Sequence, residues 1–503
     1  MTVAVECIED RFYYGLFGAV CGELRSSYGA DVELVVVRSI NGAVGNGWQQ
    51  RLARSGVVSV LMSNQWVRAL QGMATRVAYR SASPGPPVRG ILDWVRSAAV
   101  WREERNRSDC SNLRVLDVPV GDLVIDSYLR YRPSPRFDPG DPFVRRLIWQ
   151  AYRDVRKARA YFRKRRPRFY LTSYATYLEH GIATRVALQE GIRVLSFGNF
   201  QDVGKELSVG DALHTANTSA YSSTFESLEG QAARLAEAEE ALRVRLSGGV
   251  DAATSYMKVS AYSAKAGAVP DVSDAFVVFL HDFYDSPHVY HDFIFPDFWA
   301  WICFTLDTLL RAGRKVFVKP HPNQIALSSE VLHELVAKYP RIPLVPPTVT
   351  NVQLAESGMK CGITVYGTVG HELAYLGVSS ITCARHPHHA FGFCRNASTI
   401  EQYERLLLDP VEMPLSKGEM RRQALAFYYM HNLHGDAGQL ALRAHFVSFW
   451  TACHGPDTPD FRLAEQFRAL RDLPAFREFV RKLVATPLNR REHDEGHAHL
   501  ALR

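Results

Sequence analysis

Short apolar runs alternate with helix-length segments in the C-terminal half of this 503-residue chain, and this alternation constrains the fold more than any other feature. The runs are AFVVFL from residue 275, KVFV from 315, IPLVPP from 342 and GITV from 362. Helical patterns such as FPDFWAWICFTLDTLLRAG and SSEVLHELVAKYP separate them. Such a succession builds a parallel sheet covered by helices. It predicts a doubly wound α/β domain over residues 275–440.

The N-terminal half has the same alternation, with strand patterns at 32–38, 76–81, 168–174 and 192–198. These patterns predict a first α/β domain over residues 1–247. A helix ending in two glycines precedes a Ser-, Ala- and Gly-rich stretch, so 248–274 is interpreted as a linker. Residues 441–503 are predicted to form C-terminal helices and a polar tail. Two such α/β domains are expected to face each other across a cleft.

The composition, with 47% hydrophobic and 22% charged residues, is that of a globular protein. No apolar run approaches the roughly 20 residues of a membrane-spanning helix, and the first residues lack a basic segment before an apolar core, so a cytoplasmic location is expected. The eight cysteines form no CxxC pair, which predicts neither a disulfide framework nor a zinc module. A net charge of +7 is modest for this length, so nucleic acid is not an expected partner.

One segment is strongly basic. Arg153–Arg168 contains nine Lys or Arg and one Asp, with Tyr161 and Phe162 between them. One interpretation is a solvated helix that ends at Pro167. The other is a face that rests on anionic lipid, where each basic charge contributes about 1 kcal/mol. The second would place the protein peripherally on the inner face of a membrane.

Polar side chains follow three predicted strands of the second domain, where ligands bind in open α/β sheets. In VKPHPNQ two prolines hold Lys319 and His321 in an extended segment. In VYGTVGHEL a glycine turn leads into a helix whose first amides favour an anion. This turn lacks the GxGxxG pattern and the Walker lysine, so neither a dinucleotide site nor a P-loop is predicted. The candidate residues are Asp282, Lys319, His321, Asn323, Thr368, Gly370 and Glu372.

VKPHPN followed by GTVGHELAYLGV resembles the C-terminal domain of GT-B glycosyltransferases of bacterial surface-polysaccharide assembly, the group around the capsule and lipopolysaccharide Kdo transferases. More distant kin are teichoic-acid polymerases and UDP-GlcNAc epimerases. The resemblance covers about residues 275–395, and residues 172–198 resemble an N-domain segment of such chains. It implies an α/β, GT-B-like fold in which two Rossmann-like doubly wound domains face a cleft, followed by a helical C-terminal segment.

The same resemblance implies transfer of a sugar, such as Kdo from CMP-Kdo, from a nucleotide-sugar donor to a cell-surface polysaccharide or glycolipid. Asp282 would lie at the reacting sugar, and Glu179 would reach in from the N-terminal domain. No metal and no cofactor are expected, as is usual for GT-B folds. The expected catalytic residues are Asp282, Glu179 and His321. The expected donor-binding residues are Lys319, Asn323, Thr368, Gly370 and Glu372.

Other functions fit the same residues. A CDP-alcohol polyol-phosphate transferase or a UDP-sugar epimerase would keep the fold and change the reaction. A non-catalytic polysaccharide- or lipid-binding protein would have no nucleotide affinity.

A metal site in the His-rich segment ARHPHHAFGFC was also considered, with His386, His388, His389 and Cys394 as ligands. Because no acidic or CxxC partner completes a tetrahedral set, the segment is predicted to be a loop at the rim of the cleft.

Overall fold

The computed structural model describes residues 1–7, 10–36, 76–78, 87–107, 110–132, 134–249, 268–321, 326–409, 415–455 and 458–485. Three predictions fall outside these ranges: the role of Asn323, the linker character of residues 250–267, and the polar tail beyond residue 485.

The first sheet belongs to the N-terminal half and has the strand order β3-β2-β1-β6-β7-β8. Neighbouring strands are parallel except for β8, which runs antiparallel to β7. A separate antiparallel pair is formed by β4 and β5. The order reverses between β1 and β6, as in a Rossmann sheet. The strands are β1 (Thr2–Cys7), β2 (Asp31–Val36), β3 (Arg76–Ala78), β4 (Arg114–Val115), β5 (Val118–Pro119), β6 (Phe169–Thr172), β7 (Arg193–Ser196) and β8 (Lys205–Leu207).

Helices cover both faces of this sheet, as buried parallel strands require. Asp10 caps the first of them by accepting from the amides of Phe12 and Tyr13, which satisfies two otherwise unpaired donors. These helices are Arg11–Tyr28, Pro87–Glu104, Gly121–Tyr131, Pro142–Arg165 and Tyr177–Gln189.

The second sheet has the order β10-β9-β11-β12-β13, and all its strands are parallel. Its order reverses between β9 and β11, which is the doubly wound 2-1-3-4-5 arrangement. Its strands are β9 (Phe276–Phe279), β10 (Val316–Lys319), β11 (Cys361–Ile363), β12 (Ser379–Thr382) and β13 (Cys394–Asn396). Its helices are the 3-10 turn Pro287–Val289 and Phe298–Arg311, Ala326–Lys338, Asn351–Glu356, Val369–Tyr375 and Ile400–Leu408.

Helices at the end of the chain return to the first sheet. Leu442, Phe449, Phe476 and Val480 are buried in one core with residues of β1 and helix Arg11–Tyr28. This return, together with the two strand orders, confirms the predicted α/β, GT-B-like fold class. The helices that return are Ala437–His454, Asp460–Asp472 and Pro474–Ala485, whereas Lys417–Tyr428 and the π-helical turn Tyr429–Leu433 pack in the second unit.

Helices Tyr221–Ser227 and Gln231–Leu246 precede residue 247 but pack in the second unit. Phe225 and Leu242 share a core with Tyr375 and Phe427 of the second unit. The predicted domain boundary at residue 247 therefore stays a prediction, because the chain crosses between the two cores before that position.

The predicted strand IPLVPP is reduced to a single bridge between Val318 and Leu344. Pro343, Pro346 and Pro347 have no amide hydrogen, so this segment cannot sustain a ladder. Strand β1, in contrast, was not predicted although it lies in the centre of the first sheet.

The basic segment forms the end of helix Pro142–Arg165. Several of its charges are paired with acids of the same chain: Arg156 with Asp93, and Arg163 with Glu190. Pairing of this kind supports the solvated-helix interpretation, and contact with anionic lipid stays a prediction. Among the described residues, no helix combines the length and apolar character needed to cross a bilayer.

Candidate functional site

A cavity of about 430 Å³ lies between the two units, at the carboxyl ends of β9, β10 and β11. One wall comes from residues 198–201 and 214–218 of the first unit, and the other from the second sheet. The cavity therefore occupies the point where the strand order reverses, which is where doubly wound sheets bind ligands. Five of the predicted site residues line it: Asp282, Lys319, His321, Thr368 and Glu372.

Lys319 is the last residue of β10 and lines this cavity with 5% of its surface exposed. Its ammonium group forms no hydrogen bond or ion pair within the described part of the chain. Burial lowers the pKa of Lys319 to about 8, although the negative charge of Glu372 acts in the opposite direction. A buried cation in this state is stabilised by an anion that enters the cavity.

Asp282 and His321 lie on the loops that follow β9 and β10. Oδ1 of Asp282 accepts hydrogen bonds from the amide of Tyr284 (3.0 Å) and the hydroxyl of Ser328 (2.9 Å), which fix the carboxylate. Burial lowers the pKa of His321, while the nearby charge of Asp282 raises it. The structure therefore brings the predicted carboxylate and the predicted histidine to the same part of the cavity.

His281 is a further imidazole of the cavity wall. Burial, together with His321, lowers its pKa to about 3, so it is neutral at pH 7. It stacks on Phe298 with a centroid distance of 4.9 Å, and its Nε2 lies 3.1 Å from Oγ1 of Thr364. These contacts hold the wall next to Asp282 in place.

Glu372 was predicted to bind the donor, but its carboxylate oxygens already have protein partners. Nη2 of Arg245 donates to Oε1 (2.7 Å), and Nδ2 of Asn351 donates to Oε2 (2.8 Å). Arg245 comes from helix Gln231–Leu246, and all three side chains line the cavity. Glu372 thus fixes Arg245 in the cavity wall, and its role in donor binding stays a prediction.

Gly370 was predicted to bind the donor, but its amide is already paired within the protein, and this role stays a prediction. Its amide donates to the carbonyl of Gly367 (3.1 Å), and Gly370 is not among the residues that line the cavity. A Cβ at this position would lie 2.5 Å from Nε2 of His388 and 3.1 Å from Sγ of Cys394. The glycine is required by close packing, while Thr368 in the same turn does face the cavity.

We therefore expect Gly370→Ala to destabilise the protein by about 1–3 kcal/mol, the usual cost of overpacking. Urea unfolding measures this change. Gly22→Ala is the matched control, because no atom lies within 4 Å of the added Cβ in helix Arg11–Tyr28. The control should be neutral or slightly stabilising. Equal stability of the two variants would mean that His388 moves aside at no cost.

Glu179, the predicted acid from the opposite domain, is not among the residues that line the cavity. It accepts a hydrogen bond from Tyr131 and lies 3.4 Å from Nε2 of His180. His180 in turn contacts the buried Glu6 of β1 at 2.7 Å. Burial alone would lower the pKa of His180, but Glu6 and Glu179 outweigh it and raise the pKa to about 10. Glu179 thus stabilises a buried imidazolium, and a catalytic role for it stays a prediction.

His214 is the titratable side chain that the first unit presents to the cavity. The amide of Ala175 donates to its Nδ1 (3.2 Å), so the proton of the neutral ring is on Nε2. Burial lowers its pKa to about 3, with Lys205 and His180 adding to the effect. His214 is therefore a neutral hydrogen-bond donor. His214, Arg245 and Asn351 were not predicted as site residues, because none of them lies in a recognisable motif.

The His-rich segment is folded inward rather than exposed at a rim. His386 and His388 are buried beside Cys394, and only Pro387 between them lines the cavity. His389 points elsewhere, with Nε2 3.2 Å from the hydroxyl of Ser219.

The chain matches no protein-family model. No curated protein matches it either. Among solved structures it is similar to UDP-GlcNAc 2-epimerase of Methanocaldococcus jannaschii, with 9% identity over 84% of this chain and 97% of that chain and a TM-score of 0.24. It is also similar to the glycosyltransferase SsfS6 of Streptomyces sp. SF2575, with 12% identity over 85% and 95% of the two chains and a TM-score of 0.23. The O-GlcNAc transferase of Thermobaculum terrenum has 9% identity over 96% of this chain and 68% of that chain, with a TM-score of 0.24. Since these values are low, the fold assignment rests on the two strand orders.

Proposed function

We propose that the protein transfers a sugar from a nucleotide donor bound in this cavity to a hydroxyl of a polysaccharide or glycolipid. The observation that carries the proposal is the buried ammonium of Lys319 at the point where the strand order of the second sheet reverses. A donor phosphate supplies the anion that this group lacks among the described residues. Arg245, fixed by Glu372, adds a second positive charge to the same wall.

Donor cleavage needs stabilisation of the phosphate that leaves. Lys319 does this directly, because an ammonium held in a cavity of low polarity interacts strongly with developing negative charge. His321 lies on the same loop and donates to the phosphate when its ring nitrogen carries the proton. Both groups are already in place before the donor binds, so little reorganisation is required.

The acceptor hydroxyl is activated by Asp282. Its carboxylate takes the proton as the acceptor oxygen forms a bond to the anomeric carbon, and the bond from that carbon to the phosphate oxygen breaks. His214, across the cavity, donates from Nε2 to an oxygen of the acceptor. Kdo carried by CMP, and an acceptor from capsule or lipopolysaccharide assembly, are the specific substrates that the sequence resemblance suggests. Binding at an anionic membrane surface through Arg153–Arg168 belongs to the same proposal.

Nucleotide binding provides the first test. Thermal unfolding of the purified protein is followed with CMP, CDP, UDP, GDP and TDP at increasing concentrations. At one hundred times its dissociation constant, a bound nucleotide adds about 2.7 kcal/mol to the free energy of unfolding. A rise in Tm with at least one nucleotide is expected. No rise with any of them would favour the non-catalytic binding protein.

The nucleotide that binds then selects the donor sugars for a product assay by mass spectrometry. Transfer of the sugar to an added acceptor supports the proposal. Conversion of the donor to an epimer, or transfer of a polyol phosphate, would replace it with one of the two other reactions.

A further inference from the structure

We propose that His386, His388 and Cys394 form a binding site for one divalent metal ion of the zinc class, located behind the cavity wall. The three side chains are 1%, 0% and 9% exposed. Their potential ligand atoms all lie within 4.8 Å of one another. The two histidines are separated by one residue, on the segment that leads from β12 into β13, where Cys394 is the first residue.

The imidazole of His386 has an unsatisfied nitrogen atom. Its Nδ1 is buried and has no hydrogen-bond partner among the described residues. Leaving such a buried polar atom unpaired is unfavourable. The rings are also unusually close, with centroids 3.9 Å apart. Two neutral imidazoles side by side are explained if both contribute a nitrogen to a common ion.

The sulfur lies where a third ligand is needed. Sγ of Cys394 is 3.1 Å from Nε2 of His388, which matches a thiol hydrogen bond and is somewhat shorter than the separation of two ligands on one ion. Gly370 packs closely against these two atoms, because any Cβ there would clash with both. An ion bound by both atoms requires the sulfur and the ring to separate slightly.

The chemistry of the three groups selects the metal. One thiolate and two imidazoles suit zinc or a similar late transition metal, whereas magnesium and calcium prefer oxygen ligands. Burial raises the pKa of the Cys394 thiol to about 12, so the ion must displace its proton. The S–H bond breaks, a sulfur–metal bond forms, and one proton is released to solvent.

The site is structural rather than catalytic, because none of its three ligands lines the cavity. Pro387, between the two histidines, does line it. A bound ion would fix this part of the wall against helix Val369–Tyr375. This role does not depend on the reaction that the cavity performs, and it leaves a metal-independent sugar transfer possible.

The test is a titration of the metal-free, full-length protein with Co²⁺, followed by absorption spectroscopy. We expect one Co²⁺ per chain, with an intense thiolate-to-metal band in the near ultraviolet that Zn²⁺ abolishes by displacement. Cys394→Ser should lose this band, and His388→Gln should weaken binding more than about 100-fold. Cys383→Ser and His389→Gln are matched controls, because neither residue belongs to the cluster, and both should retain the band.

Two spectroscopic results would overturn the proposal. One is the absence of a thiolate band in the wild-type protein at micromolar Co²⁺. The other is an equal band in Cys394→Ser. Because a substitution in the core can impair folding, the wild-type protein is also heated with and without Zn²⁺, and Zn²⁺ should raise its Tm. An unchanged Tm would contradict binding, whatever the variants do. None of these measurements uses a nucleotide, so their outcome is independent of the proposed transfer reaction.

Discussion

Lys319→Met is expected to lower kcat for sugar transfer by about 10²–10³-fold, the usual effect of removing one preorganised group that stabilises developing charge. Nucleotide affinity should fall as well, because the phosphate loses its buried counter-charge. Methionine has a similar length and no charge, so it relieves the cost of burying an ammonium and the fold should be kept. Steady-state kinetics and nucleotide titration of the folded variant measure both effects.

The matched control is Lys315→Met. Lys315 directly precedes β10, so it lies at the opposite end of the same strand; it pairs with Asp271 and is largely exposed. Its loss should leave transfer and binding unchanged. Equal effects of the two substitutions would mean that the general charge of the protein, and not the buried ammonium, attracts the donor.

The pH dependence of nucleotide affinity provides a second test of the role of Lys319. Because the pKa of Lys319 is lowered to about 8, the group is charged below pH 8 and becomes neutral above it. Nucleotide affinity should be constant just below pH 8 and should fall by up to tenfold per pH unit above it. In Lys319→Met this decrease should disappear. A decrease that persists in the variant would assign the titration to another group.

The stability of the ligand-free protein should rise with pH over the range in which nucleotide affinity falls. Between pH 8 and the ordinary lysine pKa of 10.5, the unfolded chain binds a proton that the folded chain has released. The contribution of this group therefore makes the ligand-free protein more stable as the pH rises through this window. A bound phosphate raises the pKa of Lys319 and removes the trend.

The fold was predictable because its signals are local. Alternating apolar runs and helix patterns predicted strands β9, β10 and β11 of the second sheet but not β13. The strand predicted at the proline-rich run 342–347 is reduced to a single bridge, for the local reason that proline cannot donate a backbone hydrogen bond. Strand β1 was missed because the buried Glu6 interrupts its apolar pattern. Its charge is stabilised by His180 and Ser173, which come from distant parts of the chain.

The candidate site was predictable where a side chain directly follows a strand of a parallel sheet, as Asp282 and His321 do. Arg245 could not be found in this way, since it is brought to the cavity by a helix that packs in the core of the second unit although it lies before the predicted domain boundary. A metal site at His386, His388 and Cys394 was not expected, because no acidic or CxxC partner completes a tetrahedral set. The close approach of these three side chains depends on the folded loop between β12 and β13, which the spacing of the residues does not reveal.

Asp282→Asn is expected to lower kcat by about 10²–10⁴-fold while nucleotide affinity is kept, since it removes the base without disturbing the phosphate contacts. Asparagine retains Oδ1, which can still accept from Tyr284 and Ser328, so the loop should keep its conformation. Kinetics and nucleotide titration of the same preparation separate the two effects.

Asp285→Asn is the competing variant, because Asp285 also lines the cavity and lies three residues further along the same loop. His288 is a weaker competitor, since its Nδ1 lies 2.6 Å from Oδ1 of the buried Asp126 and it is not among the residues lining this cavity. If Asp282 is the base, Asp285→Asn should retain most of the activity. The reverse result, an active Asp282→Asn and an inactive Asp285→Asn, would move the reacting carbon of the donor towards the 3-10 turn Pro287–Val289.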